Sequence, residues 1–129
     1  METLQVKELL GVFVPKGSYI QTSRNITVTC YCDAQKIDQS WIPAYLDITA
    51  YREANIANMD GHLVNEPGKA PAKGYIPGGS YQKTCRDIRV IMKAECQKID
   101  QSWVYSSLDI TDLATNKTLS NIDGVLKVD

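Results

Sequence analysis

A chain of 129 residues has room for one ordinary domain with a real core, but not for two independent ones. Its 14 Lys plus Arg stand against 15 Asp plus Glu, for a formal charge of −1, and no segment gathers enough basic residues to follow a phosphate backbone, so nucleic acid is not an expected partner. No run nears the roughly 18 apolar residues of a membrane span, and the opening METLQVKELLGVFV carries Glu2 and Glu8 with no small-residue cleavage pattern, so a soluble chain with no membrane insertion and no visible signal peptide is expected, its compartment unknown.

Residues 1–14 read as an N-terminal extension. Leu4, Val6, Leu9, Leu10, Val12 and Phe13 make it apolar enough to pack down, as an added strand, a short helix or a partly disordered tail. From residue 15 the chain begins a pattern that it later repeats. VPKGSYIQTSRNITV from Val14 returns as IPGGSYQKTCRDIRV from Ile76, and QKIDQSW from Gln35 returns unchanged from Gln97. Asn58-Met-Asp-Gly61 returns as Asn121-Ile-Asp-Gly124 after one inserted residue near Asn116. This is a duplication, with a first repeat at 15–65, a linker at 66–76 and a second repeat at 77–129. Two copies are too few for a solenoid, so one pseudosymmetric domain is expected, its halves covering each other's apolar faces.

Within each copy the period is two. Ile26, Val28, Cys30, Cys32 and Ala34 alternate with Thr27, Thr29, Tyr31 and Asp33; Ile88, Val90, Met92, Ala94 and Cys96 alternate with Arg89, Ile91, Lys93 and Glu95. These are strands. Trp41 and Trp103, each closing a polar run, are expected as core anchors rather than sugar-stacking rings. Leu46-Asp47-Ile48 and Leu108-Asp109-Ile110 can each open a short helical turn, and the Asp-Gly pairs at Asp60 and Asp123 suit hairpin turns that need positive φ. His62 is expected to face solvent on a strand. The loop EPGKAPAKGYIPG, at 66–78, has no apolar period and offers Lys69, Lys73 and Tyr75 on a flexible connection. The fold class is mainly β.

The four cysteines lack CxxC spacing and His62 is the single histidine, which argues against a zinc site and a Cys/His nucleophile; no cofactor is expected. Cys30 and Cys32, two apart on one strand face, cannot bond each other without bending the strand and read as buried thiols. Asp47 and Asp109 are not paired with a second carboxylate, so glycoside hydrolysis has no candidate acid and base, and no catalytic residue is assigned. Asn25-Ile-Thr27 and Asn116-Lys-Thr118 are sequons that matter only on a secretory route.

GSY-x-x-[TS]-[CS]-R-[ND]-I, then a strand, QKIDQSW, LDIT and N-[MI]-DG-x-L, twice in tandem over about 15–129, resembles the cyanovirin-N family of lectins. The resemblance implies a pseudosymmetric β domain in which each repeat supplies a three-stranded sheet plus a β-hairpin, with elements exchanged between halves. It implies recognition of α-linked mannose in high-mannose oligosaccharides or glycoproteins at two polar sites at opposite ends, by a monomer or a domain-swapped dimer. Carried over residue by residue, the first site falls on Ser18, Gln21, Thr22, Gln35, Ile37, Asn121 and Asp123. The second falls on Asn58, Asp60, Ser80, Lys83, Thr84, Gln97, Lys98 and Gln101. Asn58, Asp60, Asn121 and Asp123 are at the same time ordinary turn formers. Ile37 and Ile99 stand where the family more often has polar groups. The resemblance also implies a disulfide between Cys85 and Cys96, with Ser23 and Ala34 in place of the first copy's pair. No turn residues separate those two cysteines. Either a tight turn sits near Val90 and Ile91, or a continuous strand holds them roughly 36 Å apart, far beyond the ~7 Å that a disulfide spans. A family member that has lost sugar affinity and serves as a protein-interaction or structural scaffold is the alternative function.

Overall fold

The computed structural model describes residues 11–129. Its strands are β1 (Ser23–Gln35), β2 (Trp41–Asp47), β3 (Ile56–Met59), β4 (His62–Asn65), β5 (Cys85–Gln97), β6 (Trp103–Asp109), β7 (Leu119–Ile122) and β8 (Val125–Val128), with short 3-10 turns at Ser18–Thr22 and Ser80–Lys83. The protein is mainly β. Neither β1 nor β5 contains Gly or Pro to turn the chain back, and each runs as one strand of thirteen residues. They pair antiparallel with each other from Ser23 opposite Cys96 to Ala34 opposite Cys85. β2 then adds outside β1 and β6 outside β5, giving one four-stranded sheet in the order β2-β1-β5-β6. This corrects the expectation of a three-stranded sheet in each half: residues that would fold back within one copy pair across copies instead. β3–β4 and β7–β8 form separate two-stranded hairpins.

The ladder between β1 and β5 slips by one residue twice, between Arg24 and Thr27 and between Tyr31 and Asp33. Asn25 (φ 53°) and Asp87 (φ 55°) take the left-handed conformation there, which Asx residues tolerate and which marks a bulge. The expected alternation appears in the burial: Val28, Cys30, Cys32 and Ala34 of β1 and Val90, Met92, Ala94 and Cys96 of β5 face the core, with Ile26 and Ile88 packed at its margin. The two-residue turns Asp60-Gly61 and Asp123-Gly124 have positive φ throughout, as their sequence requires.

Each hairpin docks on the entry segment of the other repeat. Leu119 N–H donates to Lys16 O (2.9 Å), and Ile56 N–H donates to Gly78 O (3.0 Å). Beneath these contacts lie Tyr19 and Tyr81, both fully buried, whose hydroxyls donate to Pro15 O and Pro77 O at 2.5 Å.

Three other expectations change. Trp41 and Trp103 are not core anchors: Trp41 is 36% exposed and Trp103 half-buried, and the guanidinium groups of Arg86 and Arg24 lie 4.0 Å over their rings. The tyrosines above occupy the core instead. Leu46 and Asp47 end β2 rather than opening a helical turn, because Asp47 Oδ1 accepts from both Thr49 N–H (2.9 Å) and Thr49 Oγ1 (2.5 Å) and turns the chain; Asp109 and Thr111 repeat this after β6. Tyr75 is buried rather than offered on a free loop, carried inward by a tight turn in which Lys73 and Ile76 exchange both backbone hydrogen bonds. In the N-terminal extension Phe13 and Val14 are buried and Val12 exposed, with Gly11 N–H held by Thr49 O; Leu4, Val6, Leu9 and Leu10 lie outside the described residues.

The disulfide is the largest correction. Cys85 and Cys96 stand at opposite ends of β5, and all four cysteines are free thiols. Continuity of the strand is the reason. Burial pushes the Cys30 thiol from its ordinary 9.0 up to about 11 and raises Cys32, Tyr19 and Tyr81 further. In the unfolded chain these groups ionise near their ordinary values, so between those values and the raised ones the unfolded state holds fewer protons. Stability is therefore fully present below about pH 9 and declines as pH rises toward 11. Urea titrations at pH 8, 9.5 and 10.5 should show a falling midpoint; a midpoint constant across that range would contradict the burial of these groups.

Candidate functional site

Because β1 and β5 run antiparallel, the C-terminal end of β1 meets the N-terminal end of β5, and the converse holds at the far end. At the first end Gln35 N–H donates to Thr84 O (2.9 Å). Asn58, the last inward residue before the β3–β4 turn, donates from Nδ2 to Gln35 O (2.8 Å) and to Thr84 Oγ1 (3.0 Å), while its Oδ1 accepts from Gly61 N–H (2.8 Å). Asp60 Oδ1 accepts from Ile37 N–H at 2.9 Å. Asn58 thus ties the hairpin turn, the end of β1 and the start of β5 together, and Asp60 adds the β1–β2 loop. Ser80 and Lys83, exposed on the adjoining 3-10 turn, complete a shallow polar tip.

The far end repeats the Asn and Asp contacts. Asn121 Nδ2 donates to Gln97 O (2.8 Å) and Thr22 Oγ1 (3.0 Å), its Oδ1 accepts from Gly124 N–H (2.8 Å), and Asp123 Oδ1 accepts from Ile99 N–H (3.0 Å). Lys98 N–H donates to Ser102 O (2.8 Å), and Gln101, at φ 73°, turns its carbonyl toward Gln97 Nε2 (3.4 Å). Ser18 Oγ lies 3.5 Å from Ser120 Oγ, and Gln21 lies with Val12, Val14, Ile20 and Arg52 around an apolar depression beside this tip. With strands of thirteen residues between them, the tips sit roughly 40 Å apart.

The sequence-derived sets are thus regrouped. Asn58, Asp60, Ser80, Lys83 and Thr84 stay together but are joined by Gln35 and Ile37. Ser18, Gln21, Thr22, Asn121 and Asp123 stay together but are joined by Gln97, Lys98 and Gln101. The two QKIDQSW loops change places because each long strand carries its loop to the end of the sheet opposite its own start. Asn58, Asp60, Asn121 and Asp123 act as clamps on backbone groups, the turn chemistry their spacing suggests. Ile37 and Ile99 are each 85% exposed, so they project an apolar side chain at each tip and use only their N–H groups inward. Arg86 and Arg24 went unassigned in the sequence; each covers the tryptophan flanking a tip and meets a carboxylate, Asp33 at 4.0 Å and Glu95 at 3.5 Å. Their signal was present, an Arg at the same place in both repeats.

Hydrogen bonds from the Ser40 hydroxyl and backbone hold the Asp38 carboxyl below the ordinary carboxylate range, and Ser102 does the same for Asp100, so each loop keeps one ionised carboxylate turned back on itself. Among the described residues no group of three or more His, Cys, Asp or Glu side chains is placed to hold a metal ion, and no helix is long and apolar enough to cross a membrane. Exposed hydroxyls, amides and amines beside small apolar groups can meet a polyhydroxylated ligand by hydrogen bonding from fixed positions.

No family model matches the chain, and no curated protein matches it. Among solved structures it is similar to a designed cyanovirin-N homolog lectin, LKAMG, determined by NMR: 19% identical, over 87% of this chain and 99% of that one, with a TM-score of 0.19.

Proposed function

We propose that the protein is a non-catalytic carbohydrate-binding protein of cyanovirin-N type, taking mannose-containing glycans at its two polar tips. The observation that carries this reading is the duplicated tip: the same Asn, Thr, Gln and Asp groups, in the same hydrogen-bonded arrangement, appear at both ends of the sheet. A core-only requirement does not ask for two rigid, exposed polar tips. Mannose as the sugar rests on the motif resemblance. The same reading makes 15–129 a single pseudosymmetric domain of two repeats that exchange their hairpins.

Rigid clamps hold the tips, and the exposed groups Ser80 and Lys83 at one and Ser18 and Gln21 at the other are the contacts offered to the ligand. Titration calorimetry with an α-linked mannose disaccharide should give two sites per chain. Ser80→Ala with Lys83→Ala should reduce this to one, as should Ser18→Ala with Gln21→Ala, each with an unchanged circular dichroism spectrum. Loss of an exposed contact typically weakens a site by about 1 kcal/mol or more, severalfold in Kd. Two unaltered sites in both variants would overturn the assignment of residues, and a flat glycan array would overturn the lectin reading. The second reading, a scaffold without sugar affinity, is favoured by one specific feature: the Asn and Asp side chains at each tip already serve the backbone, and Ile37 and Ile99 stand in the open beside them.

A further inference from the structure

We propose that Cys32 and Cys85 are an oxidation site, closing a disulfide that locks β1 to β5 between the two repeats. The strand register places them. Cys85 is opposite Ala34, and Cys32 is two residues before Ala34 on the same strand, so both thiols lie on the core face as diagonal neighbours. Cys96, at the other end of β5, accepts at Sγ from Ser23 Oγ at 3.5 Å, and Cys30 lies beside Tyr81. Cys32 and Cys85 lie close enough to perturb each other's ionisation.

Diagonal Cα atoms in a sheet lie about 7–8 Å apart, just beyond the 4.4–6.8 Å of most disulfides, so closure needs a shift of about an ångström. The site provides for one. Cys85 is the first residue of its strand, and the bulge at Asp87 interrupts the ladder two residues later. Cys85 is also half-buried whereas Cys32 is buried, which gives the reaction an order. The oxidant is a low-molecular-weight disulfide. The Cys85 thiolate attacks one of its sulfurs, forming a mixed disulfide and expelling the first small thiolate. Cys32, deprotonated to solvent, then attacks Cys85 Sγ and expels the second. Two protein thiols are oxidised, one small disulfide is reduced to two thiols, and the S–H protons pass through solvent to the leaving groups. Burial raises both thiols above their ordinary value, so the reaction is slow at neutral pH and quickens as pH rises.

The lock is one-sided. At the equivalent positions of the other copy stand Ala94 for Cys32 and Ser23 for Cys85, so only the end of the β1–β5 ladder beside Asn58 can close. Those residues also supply gentle test variants. The full chain is incubated with oxidised glutathione at mildly alkaline pH, quenched in acid, alkylated in denaturant and mapped by tandem mass spectrometry. The expected product is a Cys32–Cys85 crosslink with Cys30 and Cys96 alkylated, monomeric on non-reducing gels, and with a higher urea midpoint than the reduced chain. Cys30→Ala should keep the crosslink, and Cys85→Ser and Cys32→Ala should each abolish it. A Cys30–Cys32, Cys30–Cys85 or Cys85–Cys96 bond, an intermolecular bond, a glutathione adduct that persists on Cys85, or four alkylated thiols would each overturn the proposal. The wild-type map decides even if a variant fails to fold, and sugar binding does not enter it.

Discussion

Alanine in place of Tyr19 or Tyr81 should destabilise the fold by about 3–5 kcal/mol, the range for a large buried aromatic, since each ring is fully enclosed and its cavity is walled by strands that cannot collapse independently. Phenylalanine separates packing from hydrogen bonding, and the two positions should then differ. Pro77 O accepts from the Tyr81 hydroxyl and also from Gln82 Nε2 at 3.1 Å, whereas the residue equivalent to Gln82 is Ile20, which has no side-chain donor for Pro15 O. Tyr81→Phe leaves its carbonyl with a partner; Tyr19→Phe leaves a buried acceptor deprived of one. The expected costs are about 1 kcal/mol for Tyr81→Phe and about 2 kcal/mol for Tyr19→Phe. Urea unfolding of the four variants measures this. Equal losses for the two phenylalanine variants would show that Gln82 does not compensate.

Gly79→Ala should cost at least ~3 kcal/mol, because two penalties act at one atom. Gly79 has φ 136° and ψ 171°, a region that only glycine occupies freely, and a Cβ built there would lie 2.2 Å from Ile56 O. That carbonyl belongs to the β3–β4 hairpin docked on the second repeat, so the methyl group would force the hairpin off its seat. Gly17, at φ 145°, meets Leu119 O in the same way, and Gly17→Ala should be equally costly. Gly74 is the control. It has φ 60°, but a Cβ there would meet nothing nearer than Leu113 O at 3.6 Å, so Gly74→Ala should cost only about 1–2 kcal/mol. Thermal unfolding of the three variants tests the ordering. Gly79→Ala no worse than Gly74→Ala would mean that the hairpin is not held where its hydrogen bonds place it.

What the sequence alone determined is whatever depends on near neighbours along the chain. A period of two assigned Val28, Cys30, Cys32 and Ala34 to one face, because alternate residues of any strand must share a side. Asp-Gly fixed the two hairpin turns, because few other pairs accept positive φ at both positions. Tandem motifs announced two equivalent units. Only the tertiary structure decided which strands are partners. The stretch 85–97 carries no turn signal, but its sequence does not name the strand it pairs with, and that pairing moved Gln35 and Ile37 to the tip held by Asn58, moved Gln97 to the tip held by Asn121, and separated Cys85 from Cys96. The placement of the tryptophans turns on the same pairing. Large rings suggest a core, yet whether a ring at a strand start faces inward or lies beneath an arginine depends on what crosses the sheet beside it, and Arg24 and Arg86 reach Trp103 and Trp41 only because β1 and β5 pair across the two repeats.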